Sequence, residues 1–343
     1  MPRMDTEQTV DIGAPGAKRR SRMRRVATRK RVQITPRDVE ILRLLKRYRY
    51  LRSSFLHALV GGKSQKRFIE RLGHLYHEGG YVDRPAQQWQ AINARYMPAV
   101  YELGQAGERL LEALDGESIR SQLARKGRQG AVRQFQHDLM ICDIIASIEV
   151  GTRSTTGVRL VSWDEIMASP KMPRATREAP NPFAMPVSIT YTCPDNAHPQ
   201  RWEKPLIPDA LFGIEYASRY SKTYRFFALE ADRNTEPVVR GSPVQTSYLR
   251  KILQYRALAA GEVHRSHFGL PNLLVLTVTT NEQHMRNVMR CLLDVTKGDG
   301  DPAFLFKTMS SLNSLEVAPV PSPHIIVAPW DRVGRPHIRI DQP

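Results

Sequence analysis

Apolar residues recur at helical spacing in three runs near the start of the chain, each bounded by residues that begin or end helices. Val39, Ile41, Leu42 and Leu45 form a stripe on a helix that opens at Thr35-Pro36-Asp38 and runs to Tyr48. A hydroxyl N-cap, a proline at the first helical position and an acid in the positive first turn all favour that start. Phe55, Leu56 and Leu59 follow a second start at Ser53 or Ser54 and stop at Gly61-Gly62. Ser64 then caps a third helix, whose Phe68, Leu72 and Leu75 face inward while Gln65, Lys66, Arg67 and Arg71 point elsewhere, before Gly79-Gly80 ends it. Three such helices, the last two joined by a tight glycine turn, make a helix-turn-helix. Strand-like Tyr81–Arg84 and Ala99–Leu103, with Pro85 and Pro98 in the intervening loop, add a hairpin wing. Gly104–Leu114 reads as a further helix that packs on the wing or mediates a homodimer.

The pattern changes after residue 135. Phe135–Val150 is an apolar-rich helix, with His137, Asp138, Asp143 and Glu149 as its polar members. Short β-type runs follow at Val158–Trp163, Leu206–Ile214 and Tyr224–Asp232, then a helix at Gln245–Ala260, a strand at Leu273–Thr279, a helix at Glu282–Val295 and a strand at Ala303–Phe306. The order helix, three strands, helix, strand, helix, strand predicts an α/β layer on a mixed sheet. The chain is therefore expected to be α+β: a winged helix-turn-helix over residues 35–115, a linker over 116–134, an α/β domain over 135–335 and a tail over 336–343. The Pro-rich stretch 170–200 reads as a long loop or insertion in the second domain.

Charge gives the first unit a partner. The 343 residues carry a formal net charge of +17, and residues 1–34 alone hold ten Lys and Arg against three acids. Residues 35–135 hold eighteen against ten, while everything after residue 135 is nearly balanced at twenty-three against twenty-one. Such asymmetry is expected when one part of a chain approaches a polyanion. Lys18, Arg19, Arg20, Arg22, Arg24, Arg25, Arg29, Lys30 and Arg31 form an acid-free run after Gly13, Pro15 and Gly16, which reads as a mobile, disordered basic arm over residues 1–34. Double-stranded DNA is the leading partner; anionic lipid is weaker, because nothing nearby supplies an apolar membrane face. In a helix-turn-helix the second helix enters the major groove, so Gln65, Lys66 and Arg67 are the candidates for base edges. Lys63 and Arg71, with Arg19, Arg20, Arg24 and Arg25 of the arm, are the candidates for phosphates.

Several classes are disfavoured. No apolar run is long enough for a membrane span and the first thirty residues lack an apolar signal core, so a cytoplasmic protein is expected. Cys142, Cys193 and Cys291 are too few and too scattered for a disulfide framework or a CxxC-type zinc site. No GxxxxGK, GxSxG or HExxH motif occurs, and the ten histidines are dispersed.

The second unit carries candidate chemistry of its own. Pro208-Asp209 stands on the second strand, and a period of two puts Glu230 and Asp232 on one face of the third. Asp209, Glu230 and Asp232 together would offer hard oxygen ligands to Mg²⁺, which can activate a water for attack on a phosphodiester. Lys251, on the following helix, is placed to lie over them. Among polar residues nearby, Glu236 reads as a supporting or loop acid, and His137 as a structural histidine rather than a ligand.

The PD…ExD pattern within this element order resembles the PD-(D/E)xK nuclease superfamily, of the restriction-endonuclease-like fold, with Asp209 and Glu230 at its two acidic positions. Asp232 stands where that superfamily carries lysine, so the resemblance implies a lysine from elsewhere, Lys251. The runs TPRDVEILRLLKRYRYL, VYELGQAGERLL, HDLMICDI, PDALFGI, FALEADRNTEP and KILQY together resemble the replication-relaxation proteins of plasmids and integrative elements, over roughly residues 35–295. That resemblance implies a DNA-binding protein of a mobile element acting in plasmid replication and relaxation, beside replication or relaxosome proteins. Three functions follow as expectations: a site-specific DNA-binding factor with a nuclease-like scaffold, an active Mg²⁺-dependent endonuclease or nickase, and a transcriptional repressor.

Overall fold

Thr35 caps the first helix in a reciprocal box: its side chain accepts from the Asp38 N–H, and the Asp38 carboxylate accepts from the Thr35 N–H at 2.8 Å. The computed structural model describes residues 20–28, 30–91, 97–116, 132–192, 199–239, 247–313 and 317–343. Its first helices are α1 (Pro36–Tyr48), α2 (Ser53–Val60) and α3 (Gln65–His74), the last continued by a π-helical turn, Leu75–Gly79. A short α4 (Gln88–Ala91) and α5 (Gln105–Asp115) follow. Three short strands, β1 (Leu51–Arg52), β2 (Val82–Asp83) and β3 (Val100–Leu103), pair antiparallel in the order β1-β3-β2. The expected hairpin is therefore β2 with β3, and β1 completes its sheet.

Helix α6 (Val132–Arg153) is the spine of the molecule. Phe135, Leu139, Met140, Ile141, Ile144, Ala146 and Ile148 are buried around its whole circumference, the signature of a helix enclosed on every side. One side meets Tyr48, Phe55 and Leu56 of α1 and α2, and the other meets the large sheet, within one continuous apolar core. The units expected at 35–115 and 135–335 thus share a core through α6. Residues 117–131, most of the expected linker, lie outside the described residues.

Acids of α6 fasten the first unit across this contact. Asp138 pairs with Arg49 at 3.0 Å and Asp143 with Arg52 at 3.0 Å, all four side chains being buried. Glu149 accepts from the Tyr48 hydroxyl at 2.5 Å and pairs with Arg153 at 2.6 Å. Arg49 ends α1 with φ at 69°, a conformation costly for a non-glycine residue, and its guanidinium is held by Asp138 and by the face of Tyr50.

Beyond α6 come β4 (Val158–Val161), α7 (Trp163–Ala168), α8 (Arg174–Glu178), β5 (Ile189–Thr192), β6 (Pro199–Trp202), β7 (Ala210–Ala217) and β8 (Lys222–Asp232). Helices α9 (Tyr248–Ala260), α10 (Val263–Phe268) and α11 (Glu282–Val295) alternate with β9 (Leu274–Thr279) and β10 (Phe304–Thr308). The mixed five-stranded sheet runs β10-β9-β8-β7-β4, with β7 antiparallel to both β4 and β8, and β8, β9 and β10 mutually parallel. One face, bearing Phe212, Phe227 and Leu229, packs on α6. The opposite face, bearing Phe226, Ala228 and Val275, packs on Ile252 and Tyr255 of α9 and on Val288 and Leu292 of α11. The fold is α+β, as expected.

Two stretches are more ordered than their composition suggests. The Pro-rich segment 170–200 contains α8, and its β5 pairs antiparallel with β6. Phe183 and Met185 are buried against Trp163 and Phe268, which provides the apolar area that fixes the segment. Residues 336–343, expected as a tail, bury Ile340 completely, bridge Ile338 to Trp330 and accept the Tyr216 hydroxyl at the Ile340 carbonyl.

Candidate nucleic-acid interface and acidic site

Ser64 begins α3 as a side-chain cap, accepting from the Arg67 N–H. Phe68 and Leu72 bury the inner face, which leaves Lys63, Gln65, Lys66 and Arg67 exposed at the positive end of the helix. Arg71 is differently placed. Its guanidinium forks onto Asp38 at 2.9 and 2.5 Å and donates to the Gln33 carbonyl at 2.6 Å, so it braces α3 against α1.

Residues 20–28, the later part of the segment expected to be a free arm, lie along the π turn and the hairpin. Arg20 pairs with Glu78 at 2.6 Å, and Thr28 donates to the same carboxylate from both N–H and hydroxyl at 2.8 Å. Arg22 reaches the Met97 carbonyl at 2.8 Å, and Arg25 pairs with Asp83 at 3.4 Å above the Tyr76 ring. Arg24 is exposed, and Arg19 lies outside the described residues. Burial raises Glu78, but the Thr28 donors and Arg20 more than offset it and hold its pKa near 2. Arm, α3 and hairpin together line a groove of about 520 Å³ that includes Arg22, Gln65, Ile69, His74, Arg84 and Tyr101.

His77 sets a pH limit on this docking. Its Nδ1 accepts from the Val26 N–H at 3.1 Å, which requires a neutral ring, and burial, aided by Arg84 and Arg20, lowers its pKa to about 4. The lowered pKa makes its contribution fully present above the ordinary histidine value of about 6.5, and lost as pH falls through about 4. Thermal unfolding between pH 7 and pH 4 is expected to reveal a loss of about 1–3 kcal/mol that is absent from His77→Phe. Identical pH profiles for the two proteins would assign the loss to other groups.

The acidic site lies where β7 begins and β8 ends. Asp209 directly precedes β7, one position beyond the ladder pair Ala210–Leu229. Its Oδ2 accepts from the Ala231 N–H at 2.9 Å, and its Oδ1 lies 3.0 Å from His137 Nε2 on α6. Glu230 is buried, its Oε1 accepting from the Tyr255 hydroxyl at 2.5 Å and its Oε2 lying 2.8 Å from Lys251 Nζ. Lys251 also meets Glu236 at 2.7 Å. Burial above all, with the Asp209 charge, raises Glu230 to about 7 against the opposing pull of Lys251, and the surrounding acids raise Lys251 well above the usual lysine range despite its burial.

Asp232 is not brought in as a third ligand. One oxygen accepts from the Thr235 and Glu236 N–H groups and the other lies 2.6 Å from His284 Nε2. Burial would raise Asp232, but His284 and these donors lower it overall. Among the described residues no group of three or more His, Cys, Asp or Glu side chains is arranged to hold a metal. Both oxygens of Glu230 are engaged within the fold, whereas Asp209 keeps 15% of its side chain open to solvent.

Lys251, singled out by its place on the following helix, therefore does stand over Glu230. Tyr255, one turn later on α9, and His284, near the start of α11, belong to the same neighbourhood. Nothing in the sequence spacing marks His284, since a different helix delivers it to the end of β8.

The chain matches a family model described as replication-relaxation over residues 42–274, from within α1 to the first residue of β9. No curated protein and no solved structure matches it. Among the described residues no helix is long and apolar enough to cross a membrane.

Proposed function

We propose, proceeding from the fact that the chain belongs to the replication-relaxation family, that it is a site-specific double-stranded DNA-binding protein of a mobile element. Its winged helix-turn-helix grips the duplex during replication and relaxation, beside replication or relaxosome proteins. The observation that carries this is the exposed basic start of α3, with Lys63, Gln65, Lys66 and Arg67 free of the core that Phe68 and Leu72 enter. Arg67 is suited to reading guanine and Gln65 to reading adenine, while Lys63, Lys66 and the arm hold phosphates. Selection from a randomised duplex library, followed by competition binding, tests it. Arg67→Ala is expected to lose about 1–3 kcal/mol of discrimination at one base pair. Uniform weakening across all sequences would make Arg67 a phosphate contact.

The second unit is a nuclease-like domain of the PD-(D/E)xK type. One observation supports a second reading, that it cleaves: Lys251 stands 2.8 Å from Glu230 although the motif itself carries Asp232 at the lysine position. Asp209 and Glu230 would hold Mg²⁺, which when bound polarises a phosphodiester and activates water. Tyr255 orients the Glu230 carboxylate, His137 orients Asp209, and Lys251 keeps its proton at Nζ and offers that charge to the phosphate. Incubation with supercoiled DNA of the cognate element and Mg²⁺ or Mn²⁺ tests this reading. Nicking by the wild type that disappears in both Asp209→Ala and Glu230→Ala is expected if the domain cleaves; intact DNA with retained binding would leave it a scaffold.

A further inference from the structure

The groove between α3 and the hairpin has two walls. Gln65, Ile69 and Gly73 stand four residues apart on α3, so they form one stripe along the helix, and all three line the groove. The facing wall is the docked segment 20–22 with Met97 and Tyr101. Arg84 ties that wall together, donating to the Arg22 carbonyl at 2.9 Å and to the Tyr101 hydroxyl at 2.8 Å.

Two features of the groove have no use inside the fold. Gly73 lies within α3, where glycine is less favourable than alanine. Its φ is not positive, and a Cβ added there would meet nothing within 4 Å, whereas one at Gly104 or Gly107 of the same unit would meet a backbone oxygen at 2.3 Å. Packing therefore demands glycine at 104 and 107 but not at 73. One turn before it, Ile69 leaves 44% of a large apolar side chain exposed. The second feature is His77, whose ring is only 4% exposed yet lines the groove. Because the Val26 N–H occupies Nδ1, the neutral ring carries its proton on Nε2, and among the described residues no acceptor meets that donor. A buried donor left unmet at the wall of an open groove is matched by an acceptor from outside.

The walls also select the occupant. Arg20 and Arg22 bring positive charge to one side, while Glu70 brings a carboxylate to the other. A free phosphate would be repelled by Glu70. On a helix in the major groove, the same carboxylate can accept from a cytosine amino group while the arginines face the backbone. With α3 in the major groove, the strand bordering it runs along the flank of the helix, and the open flank toward the hairpin is this groove of about 520 Å³.

We infer that one sugar–phosphate strand of the bound duplex lies in this groove, that position 73 is glycine because the strand passes against α3 there, and that His77 holds one of its phosphates through Nε2–H. The inference rests on the DNA-binding reading above and deepens it. Segment 20–28 becomes the outer wall of the path of the strand, and His77 adds a hydrogen bond that carries no charge.

Duplex affinity across a salt series, beside thermal unfolding, is compared for the full-length wild type, Gly73→Ala and His77→Asn. Gly73→Ala is expected to melt no lower than the wild type, since its methyl meets nothing in the free protein, and to bind duplex about tenfold or more weakly because that methyl intrudes on the strand. His77→Asn keeps an oxygen for the Val26 N–H and deletes the Nε2 donor. It is expected to bind about tenfold more weakly at every salt concentration, with an unchanged slope of log K against log salt. Wild-type affinity in Gly73→Ala overturns the inference, and wild-type affinity or a shallower slope in His77→Asn overturns the role of His77. Should His77→Asn melt well below the wild type, Gly73→Ala alone decides. Lys63→Ala/Lys66→Ala/Arg67→Ala separates this failure from that of the reading beneath it: weak binding by the triple variant with full affinity in Gly73→Ala leaves DNA binding through α3 standing and removes the strand from the groove, whereas no duplex binding by the wild type removes both.

Discussion

Asp143→Ala is expected to destabilise the protein by about 3–5 kcal/mol, because it strands the buried guanidinium of Arg52 in the contact between α6 and the first unit. Burial raises Asp143 to about 6 even with Arg52 opposing the shift, so the pair is held at a cost. A raised carboxyl pKa contributes stability that is complete below the ordinary value of about 4 and is lost as pH rises through about 6. Wild-type stability should therefore decline slightly across that window through this group, and Asp143→Ala should not show that component. Replacing both partners, as Arg52→Met/Asp143→Leu, is expected to recover most of the loss, since apolar side chains of similar volume can fill a buried ion-pair site without desolvated charge. Chemical denaturation of the four proteins in the cycle measures the coupling; additive losses would mean that the pair does not act as a unit.

Lys251→Met is expected to be comparably severe, about 3–5 kcal/mol at neutral pH or above, because Glu230 and Glu236 lose the ammonium that lies 2.8 and 2.7 Å from them. The deficit has a definite pH sign. Without Lys251 the pKa of Glu230 rises beyond its present value near 7, so the residue takes up a proton as pH is lowered and the variant regains stability relative to wild type toward pH 5–6. Glu230→Gln/Lys251→Met should restore much of the stability at pH 7 without restoring any nicking, which separates the structural role of the pair from a chemical one. A double variant that is as unstable as Lys251→Met would place the damage elsewhere, at Glu236 or Tyr248. The Lys251 ammonium also sits 5.5 Å from the Tyr248 ring.

Local signals made much of this architecture legible. Thr35-Pro36-Asp38 and Ser64 cap their helices as their chemistry demands, Gly61 follows α2 with φ at 76°, and the helix and strand order after residue 135 carries into the five-stranded sheet. Asp209, Glu230 and Lys251 meet because β7 and β8 pair antiparallel and α9 returns over the sheet. What eluded the pattern is mostly long-range pairing. Asp138, Asp143 and Glu149 read as polar interruptions in an apolar helix, and only the packing of α6 against α1 and α2 shows them opposite Arg49, Arg52 and Tyr48. Asp232 had the spacing of a metal ligand, but His284, delivered by α11, claims it. Arg71 had the exposure pattern of a phosphate contact, but a bidentate bond to Asp38 engages it. Composition misled at 20–28 and at 336–343, where a few specific contacts, Glu78 to Arg20 and Ile340 to the core, order short segments that hydropathy alone leaves free.

Because α6 joins the two units in one core, duplex binding is best measured on the full chain. Fluorescence anisotropy with a labelled cognate-element duplex, from dilute buffer to high salt, comparing wild type with Lys63→Ala/Lys66→Ala/Arg67→Ala, is the direct measurement. Binding should weaken steeply with salt in the wild type, while the triple variant, still folded, should bind about 10²-fold or more weakly with a slope shallower by about 2–3. No affinity for any duplex in dilute buffer, or identical curves for the two proteins, would contradict a DNA grip through α3.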